Sequence, residues 1–308
     1  MQSRKAIDAG AVGIMMILCM IWAFQQIAIK ATAHDVAPIM QIALRSGIAM
    51  VLVGLLMLWQ RVPVSFSTGE WRPGLLVGAL FSLEYLLIGE GLRHTSASHM
   101  TVFLYTAPFF AAIGLHLRLP EERLARAQWL GILTAFIGVA IAFFGPDGAD
   151  DPRQAADILW GDFLAILSGA LWGATTVVIR CSRLSNTPAS ITLMYQLVAA
   201  VVVLLGAAFA SGQTSINPTP LAMASVLFQG VIVSFVTFLT WFWLLRTYLA
   251  SRLGVFSFMS PMFAIVFGVW LLDEPLDPSF LIGAVLVAAG IVIVSGYGWF
   301  VQRGKGRA

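Results

Sequence analysis

The chain has 308 residues, of which 59% are hydrophobic and only 11% charged, with a net charge of +3. Soluble domains carry about 25% charged residues, so this chain cannot cover its apolar side chains with a charged surface, and lipid is the solvent expected for most of it. The small positive excess reads as loop asymmetry, not as a nucleic-acid footprint. The two cysteines, Cys19 and Cys181, make neither a disulfide framework nor a metal spacing.

A membrane helix needs about 20 mainly apolar residues. Ten stretches qualify in chain order: 9–31, 38–59, 73–92, 98–119, 127–145, 160–181, 188–210, 220–248, 250–272 and 279–301. The first is too long, and too closely followed by more of the same, for a cleavable signal peptide. Backbone groups in lipid must be satisfied within the segment, so each stretch is expected to be a helix. Placing the N-terminus in the cytoplasm puts 14 of the 18 Lys and Arg residues inside, and the acidic loop Asp147, Asp150, Asp151 and Asp157 outside. Both termini are therefore expected to be cytoplasmic, in a bacterial inner membrane. Trp59, Trp71, Trp129, Trp160, Trp270 and Trp299 fall near span ends, with Trp241 and Trp243 close enough to join them.

The stretch from Ala107 to Glu121 is echoed from Ser260 to Glu274: Pro108, Phe110, Ala111 and Glu121 match Pro261, Phe263, Ala264 and Glu274 at a spacing of 153. Trp22, Lys30 and Pro38 match Trp172, Arg180 and Pro188 at 150, and Gly131 and Gly138 match Gly283 and Gly290 at 152. Each copy holds five spans. Five is odd, so the second copy enters from the opposite side, the inverted arrangement associated with secondary transporters. The expected fold is an all-α integral membrane protein of ten transmembrane helices, built as two inverted five-helix repeats over 1–150 and 151–308.

The paired span-4 and span-9 prolines, the acid after each and the glycine-bearing spans 5 and 10 resemble the EamA-type branch of the drug/metabolite transporter superfamily. The nearest likeness is to the YddG-type exporters of aromatic and other amino acids. The family's usual Gly-Glu after these spans is replaced here by Pro120-Glu121 and Asp273-Glu274. The resemblance implies an exporter with a central cavity lined mainly by spans 1, 3, 4, 6, 8 and 9.

Trp22 and its mate Trp172 lie near mid-span, where interface anchoring does not explain them. One turn on lie Gln25 and Gln26, with mates Thr175 and Thr176. Amides in hydrocarbon are costly unless paired, so these faces should turn inward, either as a site wall or as interhelical packing. Glu84, beside Tyr85 on span 3, is the most deeply placed acid. It either meets substrate or pairs with Arg45 on span 2, which lies at similar depth. Its repeat mate is Thr237, which shares a stripe with Ser234 and Trp241. Tyr105 and Thr106 precede Pro108, and Ser257, Phe258 and Ser260 precede Pro261. The prolines are candidate hinges, the alternative being static kinks closed by a hydroxyl. Tyr195 and Gln196 are weaker wall candidates, and Glu90 is expected at the solvated outer mouth. Glu121 and Glu274 are expected to complement the helices that follow them. Gly131, Gly138, Gly283 and Gly290 suit close packing, a dimer face being the alternative. His34, His94, His99 and His116 form no ligand spacing and read as solvated or interfacial.

No phosphate-binding loop, membrane Asp pair or zinc-protease motif is present. The leading expectation is a secondary exporter of amino acids or related metabolites. It needs no cofactor or metal, and its partners are a small-molecule substrate and the bilayer. A lipophilic-cation exporter of the same fold is the alternative, with an intramembrane enzyme or a channel as rivals from other classes. The sequence leaves the oligomeric state open.

Overall fold

The computed structural model describes residues 7–62, 69–143, 152–257, 259–274 and 278–305. The expected acidic-loop residues Asp147, Asp150 and Asp151, the boundary between the two halves, and Phe258 lie outside these. The side chains of Glu121 and Trp299 are likewise outside the description.

Thirteen α-helices occupy the expected stretches: α1 Ala9–Ala31, α2 Pro38–Trp59, α3 Trp71–Gly91, α4 Ala97–Leu104, α5 Ala107–Arg118, α6 Arg126–Phe143, α7 Pro152–Cys181, α8 Ala189–Ala210, α9 Pro220–Phe228, α10 Phe238–Thr247, α11 Ala250–Ser257, α12 Met259–Leu272 and α13 Pro278–Lys305. No strand forms among the described residues. Among the described residues seven helical stretches are long and apolar enough to cross a membrane, and shorter apolar helices run over Met259–Leu272 and Leu281–Gly290. The chain is a multi-pass membrane protein.

Helix starts follow from local chemistry. Asp8 caps α1 by accepting the N–H of Ala11 at 2.8 Å, Ser96 caps α4 and Thr219 caps α9. Proline stands in the first turn of α2, α5 and α9, where no N–H is needed. The stretch Ala97–Arg118 breaks ahead of Pro108, between Leu104 and Ala107, and the Thr106 hydroxyl donates to the Phe103 carbonyl at 2.8 Å. The second break falls ahead of Pro261, where the hydroxyl of Ser257 is buried without a partner. One irregularity had no sequence signal: Gln229–Thr237, between α9 and α10, is a nine-residue π-helix.

The two halves interleave instead of packing as separate bundles. Helix α3 packs on α7 and α8, α2 on α8, α5 on α7, and α1 on α12. The most extensive contact joins α6 to α13. A β-carbon at Gly138 would strike the carbonyl oxygen of Gly283, and one at Gly290 that of Gly131. These glycines therefore serve contact within the chain.

Glu274 takes up a contact that the sequence did not suggest: its carboxylate accepts the N–H of Ala97 at 2.8 Å and of Ser98 at 3.2 Å, at the start of α4 in the other half. The Ser98 hydroxyl also donates to it. The corresponding contact on the opposite half comes from Glu122. Glu122 accepts the N–H of Ala250 at the start of α11 at 3.1 Å and is ion-paired with Arg180. The glycine spacing of 152 already holds at this point of the chain, which brings Glu122 into register with Glu274. Lys30, the counterpart of Arg180, donates to the carbonyls of Leu92 and Thr95 just ahead of Ala97.

Candidate functional site

A cavity that encloses about 600 Å³ of non-atom space, part of it open to solvent, lies at mid-depth where α1, α3, α4, α7, α8 and α10 meet. Its aromatic lining is built around Trp22, Trp172 and Trp241. Their rings meet edge to face, with centroids 6.0 Å apart for Trp22–Trp172 and 5.6 Å for Trp22–Trp241. Tyr105 adds an edge on Trp172 at 5.1 Å. Phe81, Tyr85 and Phe238 form a second aromatic group, with Phe81 4.7 Å from Tyr85 and 5.8 Å from Phe238. Such edge contacts hold large rings in fixed orientations.

Few polar groups enter this wall, and several are unsatisfied. Gln26 Oε1, Glu84 Oε2 and Gln196 Oε1 are buried with no hydrogen-bond partner, and all three residues line the cavity. Buried polar atoms are nearly always paired, so three orphans around one cavity mark where a ligand's polar groups would be received. Thr175 and Thr176 turn their hydroxyls back onto their own helix, donating to the carbonyls of Leu171 and Trp172.

The structure brings Trp22, Gln25, Gln26, Glu84, Tyr85, Tyr105, Trp172 and Thr176 into this one lining. Two further candidates are placed elsewhere. Thr237 stands one step behind the wall: its Oγ1 accepts the indole N–H of Trp22 at 2.8 Å while donating to the Val233 carbonyl at 2.6 Å. Ser257 faces a smaller adjoining cavity of about 310 Å³ together with Pro108, Thr176, Trp172 and Trp241. Pro261 lies outside both linings.

Arg45 and Glu84 form no ion pair. Arg45 is fully buried and its Cζ sits 4.3 Å from the centroid of the Tyr85 ring. The two charges attract each other without a contact pair: Tyr85 takes the guanidinium as its nearest partner, and the Glu84 carboxylate lines the cavity. Trp241, expected as an anchor near a span end, is 7% exposed and belongs to the wall, whereas Trp243 beside it is 48% exposed.

Sequence reasoning did not single out Phe81, Leu104, Ile179, Phe238 or Phe242, which complete the lining. An apolar residue on an apolar helix carries no signal that separates cavity from lipid. His34 is exposed as expected, whereas the other three histidines have partners: His94 Nδ1 lies 2.7 Å from Asp157, His99 Nδ1 lies 2.9 Å from Asp162, and His116 accepts the Leu124 N–H at 3.2 Å. Glu90 pairs with Arg93 at 2.8 Å and also receives Gln213. No cluster able to hold a metal occurs among the described residues.

The profile of the EamA-like transporter family matches residues 10–144 and again 159–296. The chain is 24% identical over 273 residues to the uncharacterized transporter YoaV of Bacillus subtilis, covering 88% of this chain and 92% of that one. It is 23% identical over 300 residues to a probable amino-acid metabolite efflux pump of Salmonella typhimurium, covering 94% and 96%. A solved crystal structure of a protein superposes with a TM-score of 0.73 at 19% identity, covering 95% of this chain and 99% of that one.

Proposed function

The chain belongs to the EamA-like transporter family, and on that premise we propose that it exports aromatic and other small amino acids, or related metabolites, by alternating access. It is a transporter and not an enzyme. The observation that carries the substrate reading is the mid-depth cavity, where an aromatic wall surrounds one carboxylate oxygen and two amide oxygens that lack hydrogen-bond partners. Such a cavity suits a small molecule with an ammonium group and an apolar or aromatic body.

Ten spans in two inverted five-helix repeats, over 1–150 and 151–308, would supply the alternation. The twofold family match and the matching cross-half caps at Ala97 and Ala250 support that arrangement. On this reading both termini face the cytoplasm in an inner membrane, and Pro108 and Pro261 are the hinges. The similarity to an amino-acid metabolite efflux pump favours amino acids, and within the family we place the chain nearest the YddG-type exporters. A lipophilic cation is the second reading, favoured by Glu84 being an acid in an aromatic wall that presents no basic side chain.

Counterflow into proteoliposomes loaded with single amino acids tests the assignment. Saturable exchange of aromatic amino acids is expected. Its absence for every amino acid, with retained exchange of an organic cation, would move the assignment to the second reading.

A further inference from the structure

The two tryptophans at the centre are repeat mates, yet they are not in the same state. Trp22 donates its indole N–H to Thr237 at 2.8 Å. The repeat spacings of 150 and 153 map that pair onto Trp172 and Glu84. Both of those residues line the cavity, Trp172 makes no bond to Glu84, and Glu84 Oε2 has no partner. The bond that one half makes is thus open in the other, with a stronger acceptor waiting: a carboxylate stands where the mate has a hydroxyl.

We propose that Glu84 receives the indole N–H of Trp172 when the two halves exchange conformations, as Thr237 receives that of Trp22 now. This rests on the inverted-repeat reading of the transport cycle. In such a cycle each half adopts the other's arrangement, so Trp22 leaves Thr237 as Trp172 closes on Glu84. The consequence concerns the cargo. In the present arrangement the Glu84 carboxylate is open to a substrate ammonium; in the exchanged arrangement Trp172 claims the same oxygens. Cargo and indole therefore compete for one acceptor, and closure of Trp172 helps to expel the cargo. The cargo class follows: a small molecule bearing an ammonium or other hydrogen-bonding cation, with an apolar or aromatic body. The π segment Gln229–Thr237 fits this scheme, since it ends on the residue whose bond must break and such segments frequently mark functional sites.

The experiment measures distances by pulsed electron resonance on the full chain in nanodiscs. One spin-label pair joins Cys181 to Arg246→Cys at one end of the bundle. The other joins His34→Cys to Gln154→Cys at the opposite end, in a Cys181→Ser background. Two populations are expected. Thr237→Val and Trp22→Phe should shift the ratio away from the arrangement described here, and Glu84→Ala and Trp172→Phe should shift it toward that arrangement. Each shift should be about five-fold, what one hydrogen bond of ordinary net strength carries. Glu84→Gln keeps an acceptor oxygen but loses the charge and should shift the ratio in the same direction but less than Glu84→Ala does, which separates the bond from a general packing effect. Adding Trp172→Phe to Glu84→Ala should change nothing further. Glu84→Ala moving in the same direction as Thr237→Val, additive effects of the last two substitutions, or a single unshifted population in every variant would each overturn the proposal. Phenethylamine and L-phenylalanine should both shift the parent ratio and neither should shift Glu84→Ala. A shift with phenethylamine alone would overturn the amino-acid reading while leaving the exchange of indole partners standing.

Discussion

The guanidinium of Arg45 lies 4.3 Å from the centroid of the Tyr85 ring. A buried cation is thus set against an aromatic face, with the Tyr85 hydroxyl and the Glu84 charge as its other attractions. Tyr85→Phe keeps that face, and Tyr85→Leu removes it. Thermal unfolding in detergent should rank the leucine variant below the phenylalanine variant by about 1–2 kcal/mol. Equal stability of the two would mean that the ring face contributes nothing.

Glu122 and Arg180 are a different kind of buried charge, paired with each other and with the Ala250 N–H. Truncating Glu122 to Ala strands Arg180, which is 6% exposed, and should cost about 3–5 kcal/mol. Replacing both residues by apolar ones of similar volume should recover most of that loss, as read by the same melts. Glu274→Ala removes a cap on α4 without stranding a buried ion pair and should cost about 1–2 kcal/mol.

Gly138 of α6 and Gly290 of α13 admit no side chain. Gly138→Leu or Gly290→Leu should separate the two helices, costing about 1–3 kcal/mol or more, with loss of a monodisperse peak on size exclusion. Gly206, on α8, has open space where its β-carbon would lie. Gly206→Ala should be neutral or stabilising by up to about 1 kcal/mol.

Gln196 is buried with its amide oxygen unpaired and lines the central cavity. Gln196→Leu should hold or raise the melting temperature, because an orphaned polar atom is removed, by about 1 kcal/mol. The same variant should lose much of the stabilising shift that a transported ligand gives the parent protein. Stability and binding moving in opposite directions would mark a residue held for ligand; a fall in both would mark ordinary packing.

Pro108 denies a hydrogen bond to the carbonyl four residues before it, that of Leu104, which borders the cavity. Pro108→Ala restores an N–H at that break. The variant should be more stable and should slow proteoliposome exchange more than it weakens ligand binding. Unchanged exchange would leave the proline as a static kink.

Residue chemistry alone fixed the class of solvent, the helical positions and the internal echo, because a shortage of charge and runs of about 20 apolar residues admit few alternatives. It also indicated most of the cavity's polar and aromatic members, since Trp22, Gln26, Glu84 and Trp172 are anomalous at mid-span whatever surrounds them. Depth along a helix can be counted from the sequence, but the direction a side chain faces cannot be fixed when the helix is apolar all round. For that reason only the tertiary arrangement set Arg45 over the Tyr85 ring, brought Glu122 to the start of α11 as Glu274 is brought to that of α4, and turned Phe81, Phe238 and Phe242 toward the cavity instead of the lipid. The π segment belongs to the same category: its extra residue per turn places Thr237 beneath the indole of Trp22, and no residue type within it announces that change of pitch.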